Sequence, residues 1–154
     1  MENEKKIINC DSLTEEERVQ INKQKKGNGE LNSTQIGSVK FKNNWGKTMS
    51  ELTVRHRQGN NPHFEDEGTY SNLVSGAVTE PLSFMYETGA LSMFDYWWIK
   101  FIVDNEEYII KGNFYCSVSS DDDGEVLLTA DAINSELKVE FSKSSSCTVA
   151  ISKL

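Results

Sequence analysis

From Ile36 onward the chain alternates apolar and polar side chains with a period of two, interrupted by clusters of Gly, Asn, Asp and Ser. That is the pattern of short, half-buried strands joined by turns. Val39 and Phe41 alternate with Lys40 and Lys42, and Leu52, Val54 and His56 with Glu51, Thr53, Arg55 and Arg57. The same alternation recurs at Tyr108 and Ile110, at Phe114, Cys116 and Val118, and at Val126, Leu128 and Ala130. It returns at Leu137, Val139 and Phe141, and the chain closes on Cys147, Val149 and Ile151. Adding residues 82–87 and 95–103 brings the total to about nine strands. Pro62 and Pro81, the two prolines, sit in turn-like surroundings, where a sheet tolerates them. The expected fold is therefore all-β, a two-sheet antiparallel sandwich. No repeat of fixed period is visible, which weighs against a propeller or solenoid.

One run departs from simple alternation. Residues 94–103 are apolar on both parities, which predicts a central strand. Lys100 marks the parity that points away from the core, because a charge is almost never buried unpaired. Phe94, Tyr96, Trp98 and Ile102 then form an outward row, and Trp97, Ile99, Phe101 and Val103 face inward. An outward aromatic row on a soluble chain needs a cover. The cover is another part of the same chain, a second subunit, or a lipid or small ligand, so this row is the candidate interface or ligand face.

Residues 1–35 break the pattern. They hold seven acidic and six basic residues around few apolar ones, and such a segment buries too little surface to offset its ordering entropy. Ser12 and Glu15 have capping-box spacing, so one short helix over residues 13–25 is the most structure expected of an otherwise disordered extension. The domain organisation expected is a polar extension, 1–35, followed by a β-sandwich domain, 36–154.

Charge narrows the partners. The 16 basic and 24 acidic side chains give a net charge of −8, which argues against DNA or RNA as a partner. No apolar run in residues 1–35 has the length of a secretory core, and none in the chain reaches the ~20 residues of a membrane span. Three cysteines, Cys10, Cys116 and Cys147, in a chain without an export signal predict reduced thiols and a cytoplasmic setting. Inward parity predicts that Cys116 and Cys147 are buried, unpaired and slow, whereas Cys10 is reactive. A bridge between Cys116 and Cys147 would overturn the cytoplasmic assignment.

Candidate chemistry is sparse. If the first two core strands pair as a hairpin around residues 43–50, Lys40, Lys42, Arg55 and Arg57 share one face, a candidate anion-binding cluster or a solvated face balanced by nearby acids. Asp121-Asp122-Asp123-Gly124 invites a calcium reading, but the bidentate glutamate is missing. Asp-Gly between two alternating strands reads instead as a hairpin turn. His56 and His63 are the only histidines, and His56 shares the inward parity of Leu52 and Val54, as a hydrogen-bonded histidine at the core margin does. No zinc spacing, phosphate loop or nucleophile elbow appears. No catalytic residue, metal site or cofactor is assigned.

Several segments go beyond a generic sandwich: Thr53-Val54-Arg55-His56-Arg57, Tyr86-Glu87-Thr88-Gly89, Phe94-Asp95-Tyr96-Trp97-Trp98-Ile99-Lys100-Phe101, Asn113-Phe114-Tyr115-Cys116 and Ser144-Ser145-Ser146-Cys147-Thr148-Val149. Their order and content resemble the PUD ("up-regulated in Daf") domain family over residues 37–154. That resemblance implies a β-sandwich that pairs with a related subunit, as a homo- or heterodimer, in the cytosol and without catalytic residues. A more distant likeness is to the aegerolysins, whose first strand leads to Trp-Gly-Lys as residues 36–41 lead here to Trp45-Gly46-Lys47. It implies membrane-lipid binding beside a pore-forming partner, with Trp45 and Trp98 as the lipid-facing residues. The expected function is a non-enzymatic interaction protein dimerising through its aromatic face, with lipid binding as the alternative.

Overall fold

A computed structural model describes residues 33–154. The described residues form eleven strands and no helix, arranged as two sheets. In chain order the strands are β1 (Ser33–Asn44), β2 (Met49–Gln58), β3 (Glu65–Leu73), β4 (Leu82–Thr88), β5 (Asp95–Val103) and β6 (Glu106–Ile109). They continue as β7 (Phe114–Tyr115), β8 (Glu125–Asp131), β9 (Glu136–Glu140), β10 (Cys147–Ala150) and β11 (Ser152–Lys153). One sheet has the order β10-β9-β8-β1-β4, and the other β11-β6-β5-β2-β3, with β7 pairing β5. The sandwich architecture is as the alternation predicts. Most neighbours are antiparallel, but β1 runs parallel to β8.

The core lies between the two inner faces. Val39 and Phe41 from β1, Phe84 from β4, Leu128 from β8 and Val139 from β9 meet Leu52 and Val54 from β2 and Trp97, Ile99 and Phe101 from β5. Burial of each such side chain is worth about 1.5–3 kcal/mol, so this interior is the main attraction between the sheets.

Several expectations are corrected. The first two strands do not pair: β1 belongs to the five-stranded sheet and β2 to the six-stranded one. Residues 45–48 carry the chain across, held by Asn43, which is fully buried. Its Nδ2 donates to the carbonyls of Lys47 and Leu73, and its Oδ1 accepts the Trp45 amide. The strand count also rises, because β3 and the division of the last strand into β10 and β11 were not anticipated. β3 is edge-lying and polar; its inward residues include Asp66 and Gly68, so it shows no apolar alternation.

The cysteine expectation is overturned as well. Cys116 and Cys147 form a disulfide with Cα atoms 6.3 Å apart. Cys116 follows β7 in one sheet and Cys147 opens β10 in the other, so two inward parities on facing sheets brought the sulfurs together. In the chain-entropy view a loop of this size contributes about 3–4 kcal/mol. The assigned short helix, residues 1–32 of the expected disordered extension and Cys10 lie outside the described residues, while the boundary at Ile36 is corrected: Ser33 to Gln35 already belong to β1, paired with Thr88 to Tyr86 of β4.

With three cysteines in the chain and two of them bridged, a thiol reagent titrates one equivalent in denatured, unreduced protein and three after reduction. Three equivalents without reductant would contradict the bridge.

Candidate functional site

The parity assigned to residues 94–103 holds. Trp97, Ile99, Phe101 and Val103 are buried, and Tyr96, Trp98, Lys100 and Ile102 alternate with them on the outer face of the six-stranded sheet. Register across β3, β2, β5 and β7 then builds two rows on that face. Glu67 lies beside Arg55, which lies beside Trp98, and Glu65 beside Arg57, Tyr96 and Tyr115. Arg55 stacks its guanidinium 4.5 Å above the Trp98 ring and donates to Asn113 Oδ1 at 2.6 Å. Arg57 donates from Nε to Glu65 at 2.9 Å. Burial, and then the neighbouring Arg57, pull the Arg55 pKa below its ordinary value, while burial, and then Glu65, push Glu67 upward.

Phe94 and Tyr115 form the open end of this face. Their rings meet edge to face at 5.2 Å, Tyr96 approaches Tyr115 at 5.8 Å, and Phe94 and Tyr115 are 52% and 51% exposed. Phe94 is fixed through its carbonyl, which accepts the Gly59 amide, and the loop before it carries the exposed Leu91. Ile102 shares the face but is separated from the aromatics by Lys100, which pairs with Glu107 at 3.8 Å. Tyr115 was not singled out from the sequence, although the inward parity of Phe114 and Cys116 already turned it outward.

The structure divides the proposed cation cluster. Arg55 and Arg57 stand on the aromatic face, whereas Lys40 and Lys42 lie on the outer face of the other sheet. There Lys42 lines an open groove of about 410 Å³ with Thr129, Glu136, Lys138 and Glu140, a lining of mixed charge. Trp45 is also removed from Trp98: its ring packs against Phe101 at 5.0 Å and Tyr108 at 5.2 Å, closing one end of the core.

The Asp121 to Gly124 stretch is a turn, but not a hairpin, since the chain passes there from one sheet to the other before β8. Asp122 accepts hydrogen bonds from the amides of Ser119, Lys143 and Ser144 and from the hydroxyls of Ser119, Ser142 and Ser144. Burial pushes its carboxyl up, but the Ser144, Ser119 and Lys143 donors outweigh that and hold it well below the usual range. Among the described residues no group of three or more His, Cys, Asp and Glu side chains is placed to hold a metal.

His56 is not at the core margin but fully inside, between two carboxylates. Its Nε2 lies 2.7 Å from Asp95 Oδ1 and its Nδ1 3.5 Å from Asp66 Oδ2. The ring packs on Phe84 and Trp97 at 4.6 and 4.8 Å. Burial pulls the imidazole pKa down, yet Asp66 and Asp95 together raise it above its ordinary value. His56 is sealed from solvent at 0% exposure.

Comparison with family models and with curated proteins yields no match. Among the described residues no helix is long and apolar enough to cross a membrane.

A raised native pKa makes the His56 contribution complete below pH ~6.5 and lost as pH climbs through the native value. Over that window stability falls by at most about 1.4 kcal/mol per pH unit from this group. Urea unfolding from neutral to alkaline pH checks it: His56→Gln loses one proton's worth of slope, and an unchanged slope would exclude His56 as the source.

Proposed function

We propose that the protein is a non-enzymatic interaction module that pairs with a second copy or a related subunit through the outer face of the six-stranded sheet. The observation that carries this reading is the outward aromatic row, Tyr96, Trp98, Tyr115 and Phe94, ending in two half-exposed rings. Aromatic and arginine side chains are the groups enriched at interface centres, and here Arg55 is already stacked and partly desolvated. The non-enzymatic part is supported by the placement of two reactive side-chain types. His56 is sealed in the core and Cys116 is consumed by a disulfide. The likeness to the PUD family supports pairing from a separate direction. The disulfide favours an oxidising compartment over the cytoplasm that the cysteine count suggested.

A stable pairing buries about 1,200–2,000 Å² in total. Sedimentation velocity at micromolar concentration is expected to show a two-chain species, and Phe94→Glu with Tyr115→Glu to return it to one chain with unchanged circular dichroism. A wild-type chain that sediments as a monomer throughout removes the proposal.

A second reading, binding to a neutral or zwitterionic membrane, is favoured by Leu91, Phe94 and Tyr115, which are exposed at one end of the sheet. It draws no support from Trp45, which is packed against Phe101 and Tyr108. Flotation with liposomes of several headgroups separates the two: binding abolished by Leu91→Ser and Phe94→Ser supports the membrane, and no binding to any composition removes it.

A further inference from the structure

We infer that the Cys116–Cys147 disulfide is a redox latch: its reduction by a dithiol releases residues 147–154 from both sheets while the rest of the sandwich stays folded.

The C-terminal segment is lightly anchored: it lies at the edges of both sheets, with Ile151 buried and Cys147 and Val149 only partly covered against the core. β10 is an edge strand, paired only with β9, from Cys147↔Val139 to Ala150↔Glu136. The chain then crosses the sandwich at Ile151, and β11 pairs only with β6, at Ser152↔Ile109 and Lys153↔Tyr108. Ile151 is the one buried side chain of the segment. Thr148, Ala150, Lys153 and Leu154 are exposed, Leu154 at 72%, and Cys147 and Val149 are half-buried. Two further amides hold it, Ile151 to the Ser135 carbonyl and Leu154 to the Glu107 carbonyl. The Lys153–Glu106 pair is solvent-exposed and adds little. A segment with one buried apolar anchor and water-accessible backbone bonds belongs to the low end of local stability, so the covalent tie decides whether it stays docked.

The two ends of the bridge are unequally held. Cys116 is buried, its amide donates to the Asp95 carbonyl, and its carbonyl accepts the Trp97 indole N–H. None of these contacts requires the disulfide, so the six-stranded sheet keeps Cys116 after reduction. Cys147 is the more exposed residue of the bridge, half-buried at the edge strand β10, where it pairs with Val139 and packs on the rim of the core. A thiolate of the dithiol attacks Cys147 Sγ, the S–S bond breaks, and Cys116 leaves as a thiolate that takes up a proton. The second thiol of the reagent then attacks the mixed disulfide, freeing Cys147 as a thiol and leaving the reagent oxidised. Detachment opens a strand edge in each sheet at once, β9 in one and β6 in the other, and open edges are templates for pairing with another chain.

Hydrogen exchange on the full chain tests this, with Cys10→Ser so that Cys116 and Cys147 are the only redox pair. With dithiothreitol, amides in residues 147–154 and in their partners at 106–109 and 136–139 are expected to exchange at least tenfold faster. Amides in residues 52–58 and 96–102 keep their oxidised-state rates. Cys147→Ser is expected to show the same pattern without reductant. Unchanged exchange at residues 147–154, or acceleration spreading into residues 52–58 and 96–102, overturns the latch.

Discussion

The constraint on which the structure depends is the ionisable cluster Asp66–His56–Asp95, closed off from water inside an otherwise apolar sandwich. Burying ions is costly, and removing one partner of such a set typically costs about 3–5 kcal/mol because the remainder is left uncompensated. The three residues come from adjacent strands, β3, β2 and β5, and therefore require those strands in one register. The carboxylates then reach beyond their own sheet. Asp66 accepts the Met85 amide of β4 in the facing sheet, and Asp95 accepts the Val118 amide on the connection toward β8. A one-residue slip of β2 would turn His56 outward and leave two aspartates buried without a cation. The apolar core favours collapse of two sheets, while this cluster selects which collapse.

That cluster also explains what the sequence showed and what it hid. Alternation in β2 and β5 was legible because their inward residues are mostly large and apolar, and Lys100 marked the outer parity correctly. β3 was invisible for the opposite reason: its one fully buried side chain is Asp66, whose burial makes sense only beside His56, and Tyr70 and Leu73 are only partly covered. The sheet to which each strand belongs was not legible at all. β1 and β2 each looked like one half of a hairpin, and only the facing of their apolar rows, with Asn43 bracing the crossover, separates them. The aromatic site was thus half readable. Phe94, Tyr96 and Trp98 could be placed on one face by parity within one strand, but Arg55, Glu65, Glu67 and Tyr115 join them only through pairing between strands distant in sequence.

The same strand that seals the core presents the candidate site. Trp97 donates its indole N–H to the Cys116 carbonyl and packs against Phe84, fixing β5 from below, while Trp98 one position later lies under Arg55. Rigidity on the inner side therefore holds the strand that carries the outer rings, which lowers the side-chain freedom any covering of that face would cost. The face is also graded in charge, carboxylates on β3, guanidiniums on β2 and rings on β5 and β7. It therefore has a direction as well as an apolar area.

The two lateral margins of the sandwich are closed by different chemistry. On the side of β3 and β4 the tie between sheets is ionic and hydrogen-bonded, running from His56 through Asp66 to the Met85 amide. On the side of β10 and β11 it is covalent, running from Cys116 to Cys147. Each tie stands at a margin where few side chains are fully buried: β3 buries Asp66 with Tyr70 and Leu73 partly covered, and the last eight residues bury Ile151 with Cys147 and Val149 partly covered. One margin therefore depends on a titratable group and the other on a bond that thiol reductants cleave, while the apolar rows between them depend on neither. The aromatic face lies on the six-stranded sheet, which both ties join to its partner.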